Sequence, residues 1–433
     1  MAEVANIAKI PELRKRILFT LGMLAIFRVG IFVHTPWIDA EKVNTFLQSG
    51  TFFDIFKIFS GRALEQFSVF ALGIMPYISA SIIFQLLTVA VPAIERLSKE
   101  GEAGRHKITQ YTRYATVVLS LVQGFGISYG LRSQGFANPG IPAATFYLST
   151  VLTLATGTSF LMWLGEMINE RGIGNGISLI IFAGIISSIP GGFGNAWENK
   201  EQYGDLFGFL LLLIGIAVII ACIIYMERSQ RRLPIQFAKR VVGRQLMGAQ
   251  ASHLPLKVNS AGVIPPIFAS SVILFPATIA QFSPHNQILN SIAHALTSGF
   301  AYYALYSGLI IFFAYFYTAV AFNPVDVSEN LKKQGGYVPG IRPGKSTADY
   351  IDHVLSRITL GGAIYITLVC LVPKLVGDQF GVPHTLTQVF GGTSLLIMVG
   401  VAMDTLAQIE SHLLSRHYEG FLGSKGGGKF RGR

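Results

Sequence analysis

The chain has 433 residues, of which 51% are hydrophobic and only 13% charged, with a formal net charge of +11. A water-soluble domain carries about 25% charged residues, so a soluble globular protein is excluded and most of the chain belongs in lipid. Cys222 and Cys370 both sit in apolar stretches; they read as buried small hydrophobes and offer no disulfide framework or metal-ligand spacing.

Residues 1–16 form a short polar segment. The first apolar run begins only after Arg16 and no small-residue cleavage site follows it, so this start is not read as a cleavable signal peptide. Ten stretches then have the apolar character needed to cross a core about 30 Å thick. They are 17–33, 68–91, 111–131, 143–165, 177–189, 206–226, 261–282, 302–322, 358–376 and 391–407, the fifth being short. Continuous apolarity predicts helices, because barrel strands alternate over about ten residues. Gly73, Pro76, Gly262, Pro265 and Pro266 lie inside these spans and predict kinks and close packing.

Lys and Arg fix the orientation. With the N-terminus inside the cell, 27 of the 34 basic residues fall on the inner side and six on the outer, and both termini are cytoplasmic. Arg28 lies within the first span. Together with Asp404 and Glu166 it makes intramembrane charge sparse, which argues against ion-coupled transport, and a structural role for Arg28 is favoured.

Between the first two spans, 51–66 places Phe52, Phe53, Phe56 and Phe59 at helical spacing. The run is too short to span. It is a re-entrant or interfacial helix or a stopper seated in a funnel, and composition favours the interfacial reading.

The second and seventh spans share a pattern: Gly73-Ile-Met-Pro-Tyr-Ile-Ser-Ala-Ser81 against Gly262-Val-Ile-Pro-Pro-Ile-Phe-Ala-Ser270. Each is the second helix of a five-helix half. Five is odd, so the copies run in opposite directions, the signature of an inverted repeat with a functional site at the interface of its halves. The halves are 17–189 and 206–407, joined by an external hinge loop, 190–205, and followed by a cytoplasmic tail, 408–433.

Two inner loops, 227–259 and 323–357, are long and basic. Topology explains their sign but not their length, which predicts docking to RNA, an acidic protein surface or anionic lipid. Two glycine-rich motifs do not carry chemistry. The stretch Arg171-Gly-Ile-Gly-Asn-Gly176 lacks the strand that a phosphate cradle needs, and Gly423-Ser-Lys-Gly-Gly-Gly-Lys429 is followed by Phe430 where a nucleotide loop requires Ser or Thr. With no catalytic or metal constellation, the chain reads as a non-enzyme whose driving energy comes from a partner or a gradient. The residues alone leave open an inverted-repeat solute transporter, a membrane-embedded scaffold and a protein-conducting channel.

A resemblance narrows these. The stretches Ile10-Pro-Glu-Leu-Arg14, Phe70-Ala-Leu-Gly-Ile-Met-Pro-Tyr-Ile-Ser79, Lys99-Glu-Gly-Glu102 and Glu170-Arg-Gly-Ile-Gly-Asn-Gly176 resemble the bacterial SecY family. So do Ala261-Gly-Val-Ile-Pro265, Val338-Pro-Gly-Ile-Arg-Pro-Gly344 and Gly391-Gly-Thr-Ser394. The resemblance runs over nearly the whole chain. It implies an all-α polytopic fold, ten transmembrane helices in two inverted five-helix halves closing as a clamshell around a central pore. It implies a channel in the bacterial cytoplasmic membrane that translocates unfolded preproteins and releases membrane helices sideways into lipid.

The residues that match the family's pore ring are Ile74, Ile78, Ile181, Ile185, Ile267 and Ile397. Those matching a plug beneath it lie in 51–66 and include Phe53, Ile55, Phe56, Phe59 and Gly61. Ser79, Gln85, Asn259 and Phe275 match a lateral gate formed by the second and seventh spans. The basic loops match docking sites for the ribosome or the SecA ATPase, with Arg232, Lys239, Arg240, Arg244 and Arg342 at contact positions. Implied partners are SecE-like and SecG-like small subunits, SecA, the ribosome, signal sequences and preproteins, and membrane lipid. No cofactor, metal or DNA is implied. Pro266, beside Pro265, departs from the family and is expected to stiffen or kink the gate helix further.

Overall fold

The structure, a computed structural model, describes residues 11–38, 63–64, 66–133, 135–138, 140–198, 205–237, 240–242, 245–247, 251–281, 299–380 and 391–424. These residues are mostly helical. In chain order the helices are α1 (Pro11–Gly30), α2 (Met75–Ala90), α3 (Pro92–Lys99), α4 (Glu102–Ser133), α5 (Ala143–Arg171), α6 (Gly176–Glu198) and α7 (Asp205–Arg228). After the strands come α8 (Ile264–Gln281), α9 (Gly299–Ala321), α10 (Pro324–Lys333), α11 (Lys345–Phe380) and α12 (Gly392–Ser424).

A helix overlaps each of the ten predicted stretches. Among the described residues, six helices (α4, α5, α6, α9, α11 and α12) are long and apolar enough to cross a membrane, or seven if the bent pair α2–α3 is one span. The short fifth stretch is longer than expected: α6 runs through Pro190 and the following glycines to Glu198. A membrane helix tolerates this proline because neighbours and local adjustment re-satisfy the freed carbonyl. The chain divides into two compact units, one of Met1–Phe84, Arg96–Gly192 and Ile397–Arg433, the other of Gln85–Glu95 and Phe193–Leu396.

In the first unit the helices are built inside-out. The buried face of α4 consists of Gly104, Thr112, Thr116, Ser120, Gly124, Gly126, Ser128 and Leu131, while Tyr114, Val118, Val122 and Phe125 point outward. In lipid the outward apolar face costs nothing, and small residues let helix backbones approach closely. The hydroxyls satisfy themselves locally: Thr112 donates to the Ile108 carbonyl at 2.9 Å and Thr116 to that of Thr112 at 2.7 Å. On α5 a Cβ at Gly157 would stand 2.0 Å from the Val69 carbonyl oxygen, so only glycine fits. Phe70 stacks between Phe27 of α1 and Phe160 of α5, with centroids 6.1 and 5.8 Å away.

The polar ties in this unit engage two of the sparse charges, Arg28 and Glu166. Arg28 donates to the Ser187 hydroxyl at 2.9 Å, linking α1 to α6 as a structural residue. Arg113 donates to Glu166 at 2.7 Å, linking α4 to α5.

In the second unit α8, α9 and α11 pack together through aromatic contacts such as Phe268 against Phe313, edge-on at 5.6 Å. Cys370 on α11 is buried as expected. Cys222 on α7 is exposed, a correction. Its helix is apolar on every side, with Ile214, Val218 and Tyr225 also outward, so a small thiol need not face protein.

The loops hold the other departure from an all-α expectation. They contain strands β1 (Gln230–Phe237), β2 (Arg240–Val242), β3 (Gln245–Met247), β4 (Ala251–Lys257) and β5 (Gly336–Tyr337). A three-stranded sheet has the order β4-β1-β5, all antiparallel, with Leu233 opposite Leu254 and Gln236 opposite Tyr337. β2 and β3 form a separate hairpin ladder.

Candidate functional site

The two copies of the internal repeat share a local geometry. Gly73 has φ +57° and Gly262 has φ +62°, a region that suits glycine. In each copy the helix begins two residues later, α2 at Met75 and α8 at Ile264. Pro76, Pro265 and Pro266 therefore occupy first turns, where backbone N–H groups have no intrahelical acceptor. This corrects the expected kinks: the prolines start these helices, and the bend of the chain is made by the glycines.

Ile74 and Ile78 stand one turn apart, since the Ile78 N–H donates to the Ile74 carbonyl at 3.1 Å. Ile181 and Ile185 repeat that spacing on α6, and Ile267 and Ile397 lie near the starts of α8 and α12. All six are buried, with exposures of 1% for Ile74, 6% for Ile78, 2% for Ile181, 3% for Ile185, 8% for Ile267 and 0% for Ile397. Five belong to the first unit and Ile267 to the second.

Of the matched gate residues, Ser79 and Gln85 are on α2. The chain leaves α2 through a 99° break at Val91 into α3. Asn259 is buried, and its amide donates to the Glu227 carboxylate at the end of α7 and to the Gly262 carbonyl at 3.1 Å. It thus ties α7 to the glycine turn that opens α8, a role that sequence reasoning did not find. For Phe275 the structure describes the backbone, in α8.

The matched plug residues Phe53, Ile55, Phe56, Phe59 and Gly61 lie outside the described residues. Lys239 and Arg244 also lie outside them, and Arg240 is described as backbone in β2.

Arg232 and Arg342 are both exposed. Each is carried by the folded loops. β1 alternates outward Arg232 with inward Leu233 and Ile235. Leu233, Leu256 and Ile351 form a buried core against which Leu254, Phe322, Val327, Leu331, Val354 and Ile358 pack. The two long loops are therefore one body, sealed by pairing of β5 with β1 and by a hydrogen bond from the Tyr337 hydroxyl to Gln236 at 3.2 Å. The second loop is braced by Ser328, whose hydroxyl donates to the Gly344 carbonyl at 2.6 Å. The 36 residues of α11 would reach about 54 Å at ~1.5 Å per residue, well beyond a hydrocarbon core of about 30 Å. Its first turns, with Ile351, serve as the platform for this body.

These elements present buried aliphatic side chains that make no hydrogen bonds, and a polar loop body that carries the exposed Arg232 and Arg342.

Comparison with known proteins bears on this arrangement. The SecY family model matches residues 68–406. The protein translocase subunit SecY of Escherichia coli (strain K12) is 51% identical over 424 residues, covering 95% of this chain and 94% of that protein. Among solved structures, a protein-conducting channel superposes with a TM-score of 0.67 at 17% identity, covering 95% of this chain and 97% of that one. Sec61 from the canine ribosome-channel complex of the endoplasmic reticulum superposes with a TM-score of 0.63 at 17% identity, with the same coverage. At that identity the structures speak for the fold.

Proposed function

The chain belongs to the SecY family, and on that premise we propose that it translocates unfolded secretory preproteins across the bacterial cytoplasmic membrane and releases membrane helices sideways into lipid. It is a multi-pass membrane protein and a protein translocase subunit that forms a protein-conducting channel, not an enzyme. The fuller architecture proposed is ten transmembrane helices in two inverted halves around a pore, with both termini cytoplasmic.

The observation that carries the mechanism is the set of six buried isoleucines placed within the first three turns of their helices or just before one. Branched aliphatic side chains can mould around a passing chain, and a narrow aliphatic constriction disfavours water and ions. Such side chains form no hydrogen bonds, so they do not select among substrate sequences. That suits a conduit and leaves a solute transporter without the polar midplane site it needs. In this reading 51–66 is the plug, and α2 and α8 are the gate helices. An apolar signal segment gains about 0.3–0.6 kcal/mol per Leu or Ile on entering lipid, which summed over a dozen residues favours exit through such a gate.

Ribosome docking is supported by the ribosome-bound channel that shares the fold. SecA, SecE-like and SecG-like partners are proposed from the family. SecA would meet the basic body through Arg232 and Arg342, and a SecE-like subunit would brace the hinge side. A photoreactive side chain placed at Ile181 or Ile267 tests the pore directly. It should crosslink to a preprotein stalled in mid-transport; crosslinking only to lipid would contradict the ring.

A further inference from the structure

The glycine-rich turn between α5 and α6 has its amides already engaged by side chains. Thr20 of α1 accepts from the Ile173 N–H at 3.0 Å, and Gln408 of α12 accepts from the Gly174 N–H at 3.0 Å. Asn169 of α5 accepts from the Gly176 N–H at 2.7 Å, and Asn175 caps α6 by accepting from the Ile177 N–H at 3.2 Å. The Gly172 N–H goes back to the Ile168 carbonyl at 2.8 Å. Five backbone N–H groups, those of Gly172, Ile173, Gly174, Gly176 and Ile177, are thus already engaged and not free for a phosphate. Four side chains, three of them from different helices, instead converge on one turn.

Glycine is required because the fit is close. Gly174 has φ +90°, and a Cβ there would lie 2.7 Å from Leu179 and 3.2 Å from Thr405 Oγ1 of α12. A Cβ at Gly172 would lie 2.5 Å from the same Thr20 hydroxyl oxygen that the turn uses, and one at Gly176 would lie 2.0 Å from the Gly165 carbonyl. Thr20 is itself oriented, since its hydroxyl donates to the Arg16 carbonyl at 3.1 Å and leaves a lone pair for Ile173.

We propose that this turn is a clasp holding α6 and α12 together, with Gln408 and Thr20 as positioning residues that set the closed placement of Ile181, Ile185 and Ile397. The helices it joins carry those three isoleucines. The inference rests on the ring reading and adds to it a device that keeps the ring shut from outside the ring. Losing one hydrogen bond of ordinary net strength shifts a closed-to-open ratio by about five-fold.

The test is resting ion conductance of the complex with its small subunits in planar bilayers. Gln408→Leu and Thr20→Val remove the acceptors. Gln408→Glu and Thr20→Ser keep them. Ile397→Ser is the ring control. The first two should raise resting conductance about five-fold, in the same direction as Ile397→Ser, while the acceptor-keeping pair stays at the parent level. Gln408 is exposed, so its variants fold even where Thr20→Val does not, and thermal midpoints of the purified complexes check this. Conductance unchanged in Gln408→Leu while Ile397→Ser leaks overturns the clasp, as does equal leak from Gln408→Leu and Gln408→Glu. An unchanged conductance in Ile397→Ser overturns the ring reading and the clasp with it.

Discussion

Gly157 is a residue at which backbone meets backbone in the first unit. Its missing Cβ admits the Val69 carbonyl, so Gly157→Leu must push α5 away from the turn before α2. Overpacking of this kind costs about 1–3 kcal/mol, and quantitative immunoblots of membranes should show less assembled protein. Polar substitution has the opposite profile at the ring. Ile78→Ser or Ile185→Ser leaves assembly near normal but should increase ion leak or relax the demand for a good signal sequence; no change in either would remove these residues from the pore. At this scale the sequence made the isoleucines visible only through family resemblance, because a lone Ile in a helix is ordinarily packing. It named Asn259 but hid its tie to Glu227 and Gly262, which joins residues that no helical or strand period connects.

Among the elements, the sheet in the loops is the least expected. Leu233 and Ile235 sit at strand spacing, whereas Pro234 and Pro255 lack the ladder donor that a strand position offers. The structure removes the objection. Pro255 lies on β4, an outer strand of the sheet, and Pro234 lies beyond the short reach of β5, which pairs only with Gln236 and Phe237. Neither position demands a donor on its open side. β5 also comes from the other loop, a pairing too distant in sequence for local pattern to reveal. The helices were legible because lipid imposes long apolar runs. Their ends were not, because α6 and α11 continue past prolines and into polar residues. If Ile351 is the keel of the polar body, Ile351→Ala should destabilise that body by about 2–5 kcal/mol. Trypsin should then cut at Arg231 and Arg232 sooner, while the apolar helices stay protected; unchanged cleavage would mean the sheet stands without α11.

At the scale of the whole molecule, the proposed pore and the proposed docking body should fail separately. Arg232→Glu with Arg342→Glu should weaken binding of SecA and of ribosomes several-fold, and flatten its salt dependence, because exposed basic side chains act through screened charge. Resting conductance should not change. The most direct test of the central claim is transport of a signal-bearing preprotein into proteoliposomes holding this chain with its small subunits, SecA and ATP. Preprotein should become protease-protected only when SecA and ATP are both present. An absence of protection despite intact SecA binding would contradict a protein-conducting channel.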